Sequence, residues 1–533
     1  MRILSPFPAL LLTATALSAC SMAPKYERPA TPVPPSWPVG DAYLRQSEAA
    51  LPTVRYTDIF RDARLQRLIE QALVNNRDLR VAAANIAATR AQYRIQRASL
   101  LPNVSANGRY SYTDRGSGGA ASNAIGGGGT GIGNGGTGTG NGGTGNGGVG
   151  NGGIGNGGID NGGAGGVVTG ANGSGSAWSV NLGVNAFELD LFGRIRSLTG
   201  AALDRYFATE AAARATRLTL VGDIAEAWLN YGADQSLLAI ARDTAASAQR
   251  SVTLTRARLE GGISPRTDLR QAEQVLATAQ ADLAQQTTAV AQDVNALQLL
   301  VGAPIDTTLL PKSIDEASPT IATLPAGLDS GILLRRPDVV QAEYELHAAN
   351  AQIGAARAAL FPRISLTGLV GFASTALSSL FSGGSFNYSV APSVSYPIFQ
   401  AGAGVANVRY SEAQRDALLA TYEKAIQTAF QETADALARQ GTIADQLGAN
   451  RRFLTAAADT YRLTEASYRG GVTPFLNTLD AQRSLYSAQR TLIATQLVAA
   501  NNRVTLYRVL GGDSLLDATS NGPIPAGSVT APR

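Results

Sequence analysis

The chain contains a long internal duplication, and this feature limits the possible fold more than any other. Residues 257–265 (ARLEGGISP) match residues 466–474 (ASYRGGVTP) at an offset of 209 residues, and the match continues without a gap for a further 37 residues. A second match, at an offset of 260, relates Ala91–Gln92 to Ala351–Gln352. A sequence that repeats over this length describes one structural unit built twice.

Each copy carries the signature of two helices joined by a short turn. A Gly pair suits a helix C-terminus, where one residue adopts a left-handed conformation. The Ser-Pro or Thr-Pro that follows suits an N-cap with Pro at the first helical position. We therefore predict a helical hairpin in each copy, with turns at Gly261, Gly262, Ser264 and Pro265 and at Gly470, Gly471, Thr473 and Pro474.

The helices on both sides of these turns are long. Residues 194–259 and 404–468 contain no Pro, and each segment predicts a helix of roughly 100 Å at 1.5 Å per residue. The helices after the turns, 267–301 and 475–510, carry an apolar or small residue at every seventh position. A seven-residue period favours a left-handed supercoil of closely packed helices.

A shorter helix and two strands precede each long helix. The short helices are predicted at 78–101 and 338–361, and each is followed by segments in which apolar and small polar residues alternate. Alternation with a period of two predicts half-buried strands, and their length suits a tilted crossing of a lipid bilayer. The predicted strands are about 103–113, 177–190, 363–373 and 385–398.

Four strands are too few to close a sheet in lipid. Open sheet edges are not tolerated in the hydrocarbon core, so the protomer must oligomerise. Two copies would give eight strands around a filled interior, whereas three copies would give twelve strands with room for a lumen.

The N-terminus predicts a secreted lipoprotein. Residues 1–19 form a signal peptide that ends Leu-Ser-Ala before Cys20, the one cysteine of the chain. This site resembles the bacterial lipobox, in which the cysteine becomes the first residue and is acylated. Residues 20–57 then form a Pro-rich, lipidated tether and equatorial segment. The alternative is an ordinary signal cleavage site beside a buried free cysteine.

A glycine-rich insert lies between the first two strands. Residues 116–175 hold 31 of the 58 glycines, mostly in Asn-Gly-Gly steps, and Asp160 is the one charged residue among them. The segment therefore lacks both the acidic ligands of a calcium-binding repeat and enough apolar residues for a core. We expect a disordered extracellular loop, with a Gly-rich β-solenoid or adhesive surface as the alternative.

Composition argues against several kinds of enzyme and against nucleic-acid binding. With one His and one Cys, the chain offers no Cys/His metal site, no intramolecular disulfide, and no His-dependent triad except one built on His347. No pair of acids typical of a glycosidase is legible. A net charge of +4 over 533 residues is too small to indicate nucleic-acid binding. We expect no enzyme activity, no metal and no cofactor besides the lipid on Cys20.

Several short motifs together resemble the TolC-like outer membrane factors, in the NodT/OprM-like lipoprotein branch that serves tripartite RND-type multidrug pumps. The similarity covers about residues 20–512 apart from the insert. The motifs are Leu189–Gly193 (LDLFG), Leu333–Asp338 (LLRRPD), Ala342–Glu343, Ala351–Gly354 (AQIG), Ala358–Leu366 (AALFPRISL), Tyr396–Phe399 (YPIF) and Leu479–Gln482 (LDAQ).

The resemblance implies a mainly α protein with membrane β-strands. The expected protomer is a duplicated β-β-long α-helical hairpin, assembled into a trimeric, twelve-stranded outer-membrane β-barrel that continues as a periplasmic α-helical barrel. In that arrangement 58–302 is the first repeat, 303–337 an equatorial linker, 338–512 the second repeat and 513–533 a C-terminal tail.

The resemblance also implies a gate near the second turn. The family closes its tip with a Leu and an Asp, and the matching residues here are Leu476 and Asp480, four positions apart on one helix face. The first copy has Thr267 and Gln271 instead. Arg469 is a weaker candidate for ion pairs that hold the tip shut. The alternative is that Leu476 packs between helices and Asp480 is a solvated surface charge.

The function implied is an outer-membrane exit duct for small molecules or drugs, opened by a periplasmic membrane-fusion adaptor and an inner-membrane RND-type pump. A lipid-anchored surface adhesin is the alternative, because the Gly/Asn repeat and the lipid anchor would also fit it. The sequence does not specify which compounds are exported.

Deletion of residues 118–174 tests the interpretation of the insert. We expect the shortened chain to form the same oligomer and to export the same compounds, because an insert without a core adds no stabilising contact. Size-exclusion chromatography in detergent and a compound-sensitivity panel measure both outcomes. Loss of the oligomer would show instead that the insert is structural.

Overall fold

A computed structural model describes residues 22–34, 36–38, 55–113, 175–322 and 330–526. The signal peptide, Cys20 and residues 116–174 of the glycine-rich insert lie outside these described residues. The lipidation site and the expected disorder of the insert therefore stay predictions.

The described chain is mostly helical, and its elements follow the predicted order in both copies. The helices are α1 Tyr56–Ile59, α2 Ala63–Asn75, α3 Arg77–Ala98, α4 Arg194–Glu260, α5 Arg266–Val301, α6 Ile314–Ala317, α7 Pro337–Ala358, α8 Ala403–Arg469 and α9 Phe475–Val509. The strands are β1 Val104–Thr113, β2 Gly175–Leu189, β3 Arg363–Ser374, β4 Phe386–Ser395, β5 Leu516–Thr519 and β6 Gly522–Pro525. Short 3₁₀ turns occur at Thr307–Leu309, Ser318–Thr320, Ser330–Arg335, Leu377–Ser379 and Gly512–Ser514.

The two long helices, α4 and α8, each run for 67 residues without interruption. At 1.5 Å per residue that is about 100 Å. Each begins after a glycine in the left-handed conformation, Gly193 or Gly402. At the start of α4 the Asp190 carboxylate accepts hydrogen bonds from the backbone N–H groups of Ile195 and Arg196, at 3.1 and 2.8 Å. These bonds satisfy two donors that have no partner within the helix.

The helices after the turns bury two rows of the seven-residue period, the predicted row and a row three positions later. On α5 the predicted position Leu297 is buried, and so are Ala272, Ala279 and Gln286 of the later row. On α9 the predicted positions Thr478, Ala499 and Leu506 are buried together with Ala481, Ala488, Thr495 and Asn502 of the later row. The predicted period is therefore present, and the alanines of the later row let the helix backbones approach closely, with Leu269 and Leu276 half-buried beside them.

A sheet of four strands has the order β1-β2-β3-β4. β1 and β2 are antiparallel, with Val104 opposite Val184 and Thr113 opposite Gly175. The rings of Tyr110 and Trp178, a directly opposed pair, lie 4.3 Å apart. Many large apolar side chains of the sheet are exposed in the protomer, among them Tyr112, Leu182, Val370, Tyr388 and Val390.

The main core lies where residues 303–322 and α2 pack against α4 and α9. Trp228 of α4 is fully buried there, and its indole N–H donates to the Leu309 carbonyl at 3.0 Å. Helix α2 was not predicted. Its buried face, with Leu65, Leu68 and Ile69, completes this core.

The C-terminal segment is also more ordered than the predicted tail. Strands β5 and β6 form a hairpin with Leu516 opposite Pro525. The hydroxyl of Tyr344 donates to the Thr519 carbonyl at 2.8 Å, and Leu516 is buried with Phe207 and Val340. The hairpin is therefore fixed by α4 and α7.

The chain divides into two compact units that cut across the sequence repeats. One comprises Met1–Pro102, Glu188–Ser365 and Ser393–Arg533, and the other comprises Asn103–Phe187 and Leu366–Pro392. Each repeat contributes its helices to the first unit and most of its strand residues to the second. Within the described ranges, no helix combines the length and the apolar character needed to cross a lipid bilayer.

Asp204 on α4 generates a pH prediction. Burial raises the pKa of its carboxyl from 3.8 to about 7. Between these two values the folded chain keeps a proton that the unfolded chain releases. The contribution of Asp204 to the free energy of unfolding is therefore fully present below pH 3.8 and is lost as the pH rises through about 7. We expect Asp204→Asn to stabilise the fold at pH 8 by on the order of 1–4 kcal/mol, at about 1.36 kcal/mol per pKa unit. Thermal melts at pH 8 and pH 4 measure this, with a gain expected only at pH 8.

Asp243→Asn is the matched control, because Asp243 is an exposed carboxylate on the same helix. Equal gains for the two variants at pH 8 would mean that burial of Asp204 has no part in the effect.

Candidate functional site

The two helical hairpins turn through the same backbone geometry. Gly262 and Gly471 have φ of +72° and +76°, which only glycine adopts without strain. In the first turn the N–H of Ile263 donates to the Arg258 carbonyl at 2.9 Å, and in the second that of Val472 donates to the Ser467 carbonyl at 2.9 Å. These bonds close the helix end in a Schellman motif. The predicted Gly pairs therefore lie at the chain reversals.

The proline of each turn is the N-cap of the helix that follows it, whereas the sequence predicted it to be the first helical residue. Pro265 and Pro474 are N-cap residues, and α5 and α9 begin at the residues that follow them. The prediction that Ser264 and Thr473 are the N-caps was therefore wrong by one position. The Ser264 hydroxyl instead donates to the Asp268 carboxylate at 3.3 Å, and the Thr473 hydroxyl is buried with no hydrogen-bond partner among the described residues.

A small apolar cluster joins the two hairpins near their turns. We call it the tip cluster, and its buried members are Val252, Ala272, Tyr468, Phe475 and Leu479. The rings of Tyr468 and Phe475 lie 5.2 Å apart. Residues of both repeats contribute, so the cluster packs the end of the first hairpin against the end of the second.

Arg258 links the hairpins by a polar contact as well. Its guanidinium donates to the carbonyl oxygen of Tyr468 at 3.1 Å and lies over the Tyr468 ring at 4.7 Å from the centroid. A hydrogen bond from a charged group and a cation–π contact both favour this packing. Arg258 is the last basic residue of α4, and Tyr468 is the penultimate residue of α8.

The gate residues predicted from the resemblance lie on the exposed side of α9. Leu476 is 49% exposed, and the side chain of Asp480 is 65% exposed. In the protomer, therefore, Leu476 does not pack between helices, whereas Phe475 and Leu479 do. The alternative that Asp480 is only a solvated charge stays open.

The charged groups around the predicted gate make short-range pairs on their own helices. Arg483 lies 4.0 Å from Asp480, and Arg469 pairs with Glu465 at 2.8 Å. Exposed pairs of this kind contribute little to stability. Arg469 thus pairs within α8, not across to the other hairpin.

Sequence reasoning missed Arg258 and Tyr468. Both lie within the matched turn sequences, but the match drew attention to the shared glycines, and the two residues lie 210 positions apart. The alignment at offset 209 did contain a sign of this contact, because two neighbouring positions differ in chemical type: Arg258 aligns with Ser467, and Leu259 aligns with Tyr468. The turn sequences therefore differ at the positions that make the contact.

Comparisons with known proteins agree with this architecture. The model of the family described as outer membrane efflux protein matches residues 68–303 and 329–512. The chain is 41% identical over 506 residues to the antibiotic efflux pump outer membrane protein ArpC of Pseudomonas putida, covering 95% of each. The same identity and coverage hold for the toluene efflux pump outer membrane protein TtgC of Pseudomonas putida.

A solved structure with the same fold is the open state of the Neisseria gonorrhoeae MtrE outer membrane channel. It is 33% identical, with a TM-score of 0.72 over 92% of this chain and 98% of that one.

Arg258→Ala tests the link between the hairpins. We expect faster hydrogen exchange in the last turns of α8, roughly fivefold for a loss of about 1 kcal/mol, because the variant removes the donor to Tyr468. Exchange measured by mass spectrometry over residues 464–472 reports the change. Arg250→Ala, an exposed position on the same helix, is the control and should leave this exchange as in the wild type. Exchange in the Arg258 variant at the control rate would contradict the link.

Proposed function

Because the chain belongs to the outer membrane efflux protein family, we propose that it is the passive exit channel of a tripartite efflux pump. It is an outer-membrane protein, and its relatives are named for pumps that expel antibiotics or toluene. We infer that this chain conducts small molecules from the periplasm to the exterior and catalyses no reaction. A tunnel needs a path and a gate, not catalytic residues.

The observation that carries the proposal is the four-stranded sheet with its exposed apolar side chains. Its outer strands, β1 and β4, each have one neighbour in the protomer, so each presents an unpaired backbone edge. Lipid does not tolerate such edges, whereas pairing β4 of one copy with β1 of the next removes them. Three copies would supply twelve strands, enough for an open lumen. We therefore propose a homotrimer.

The partners follow from the same proposal. A duct that stayed open would make the outer membrane leak, so its tip must open only when a pump is engaged. We propose that a periplasmic membrane-fusion adaptor docks at the hairpin tips and that an inner-membrane RND-type transporter selects the exported compounds. The acyl chains on Cys20 would hold the chain in the outer membrane.

The gate assignment rests on the exposure of the two side chains. Leu476 and Asp480 project from the first turns of α9, where the protomer leaves them uncovered. In a trimer each residue would occur three times around one axis. The leucines would then narrow the opening, and the carboxylates would favour cations. Arg469 and its partner Glu465 lie at the C-terminal end of α8, just before the turn, where they would add charge at the rim.

The alternative of a lipid-anchored adhesin receives no support. An adhesin has no need of a duplicated strand–strand–hairpin unit, and the relatives over 95% of the chain are efflux proteins.

Single-channel recording in planar lipid bilayers tests the function and the gate together. We expect the wild-type protein to insert and conduct weakly. The Leu476→Ala, Asp480→Ala double variant should conduct severalfold more and prefer cations less, because it removes the apolar constriction and the charge. Protein that inserts but never conducts would contradict the proposed function.

The first repeat offers a matched control for this experiment. Thr267 and Gln271 occupy the positions equivalent to Leu476 and Asp480 at offset 209. Thr267→Ala with Gln271→Ala should leave conductance close to the wild-type value. If both double variants conduct alike, the gate does not depend on Leu476 and Asp480.

A further inference from the structure

The N-terminal segment lies against α7 instead of extending freely. Residues 22–34, which we call the strap, contain no helix or strand. The Asn350 side-chain amide donates to the Pro24 carbonyl at 2.7 Å, and the Ser330 hydroxyl donates to the Pro34 carbonyl at 3.0 Å. From Ala23 to Pro34 the residue numbers of the strap increase, while those of the residues it contacts decrease from Gly354 to Ser330. The strap therefore runs antiparallel to α7, and the Pro-rich tether expected from the sequence is docked over these residues.

A glycine in α7 makes room for the start of the strap. A Cβ at position 354 would lie 2.6 Å from the Ala23 nitrogen and 2.8 Å from its Cα, closer than real side chains approach. Glycine is unfavourable inside a helix, since it costs more conformational entropy than alanine. Glycine at position 354 therefore permits the contact with the strap, although it lowers the helix propensity of α7.

A buried carboxylate recognises the middle of the strap. Glu343 is 2% exposed, and its oxygens accept hydrogen bonds from Arg28 Nε at 2.7 Å and Nη2 at 2.9 Å. The Tyr26 hydroxyl donates to the same carboxylate at 3.4 Å. Undocking the strap would deprive Glu343 of this bidentate, charge-assisted pair of hydrogen bonds, which favours the docked state.

The histidine beside Glu343 is a poor substitute for Arg28. His347 Nε2 lies 4.0 Å from the carboxylate, and burial lowers the pKa of the imidazole, which favours its neutral form. Its ring instead packs on Tyr26, with the centroids 3.7 Å apart. His347 thus contributes a surface for the strap, while Arg28 contributes the charge.

We propose that α7 carries a docking surface for the chain's own N-terminal peptide, recognised by Glu343 through Arg28 and by Gly354 through Ala23. The strap is a separable element that closes onto an otherwise folded protomer. Ala23 follows Cys20 by three positions, about 10 Å of extended chain. Docking therefore limits how far a lipid on Cys20 can lie from Gly354, a consequence that rests on the proposed lipid-anchored function.

Limited trypsin digestion of the detergent-solubilised full-length protein tests the docking. Lys25 is exposed, but its neighbours Pro24 and Tyr26 are hydrogen-bonded to α7, so we expect cleavage of the Lys25–Tyr26 bond to require the strap to leave α7. The next basic residue, Arg28, precedes Pro29 and is resistant to trypsin. We expect Glu343→Gln to speed cleavage at Lys25 about tenfold, equivalent to about 1.4 kcal/mol of docking free energy. Glu345→Gln removes a carboxylate from the same helix and should leave the rate unchanged.

Two further variants separate undocking from misfolding. Gly354→Ala improves the helix propensity of α7 but places a methyl group against Ala23, so cleavage should accelerate while the thermal melt is retained. Arg28→Ala should act like Glu343→Gln, and combining the two should add little, because both remove one contact. Wild-type cleavage rates in Gly354→Ala and Arg28→Ala would overturn the proposal, even if Glu343→Gln failed to fold.

The result is independent of the channel function. If the protein conducts in bilayers but no variant changes the rate of cleavage, the proposed function is supported and the docking of the strap is contradicted. If the protein never conducts but shows the expected cleavage pattern, the docking is supported and the channel function is contradicted.

Discussion

Close approach of helix backbones is the constraint on which the rest of this structure depends. Helices of 67 residues present long surfaces to their neighbours, and the buried residues of those neighbours include Ala272, Ala279, Ala481 and Ala488. These small side chains let the backbones approach closely toward the turns, whereas larger residues such as Trp228 and Leu297 fill the main core. Gly354 extends the same solution to the strap, where Ala23 lies against the bare helix backbone.

Much of the helical architecture could be predicted from sequence because its signals are local or repeated. The absence of Pro over 194–259 and 404–468 predicts long helices, and the Gly pairs at offset 209 locate both turns. Helix α2 and the hairpin of β5 and β6 were missed because tertiary contacts hold them: α2 completes a core around Trp228, and the hairpin depends on Tyr344 and Phe207. The predicted heptad row is buried at Leu297, Ala499 and Leu506, but a second buried row three positions later was missed, because one period does not show how many of its rows face the neighbouring helices.

The candidate site was predictable only where it resembles a known pattern. Leu476 and Asp480 were found by resemblance, and their exposure in the protomer follows from nothing in the local sequence. Glu343 stood within a recognised motif without a role, since its partner Arg28 lies 315 residues earlier and only the fold brings the two together. Ion pairs between distant segments leave no spacing to detect.

Although the two hairpins are copies of one unit, their tips are not equivalent. At matched positions the first turn has Arg258 and Leu259, whereas the second has Ser467 and Tyr468. The link between the hairpins joins one guanidinium, that of Arg258, to one ring, that of Tyr468. If the two turns were identical, each would carry both groups, and one guanidinium and one ring would be left without a partner. Leu476 and Asp480 likewise align with the different residues Thr267 and Gln271 at offset 209. The two repeats therefore differ at residues that lie where the hairpins meet. The glycines that both copies share form the same turn in each hairpin. The residues that differ place the Arg258 guanidinium on the first hairpin, and the Tyr468 ring and the proposed gate on the second.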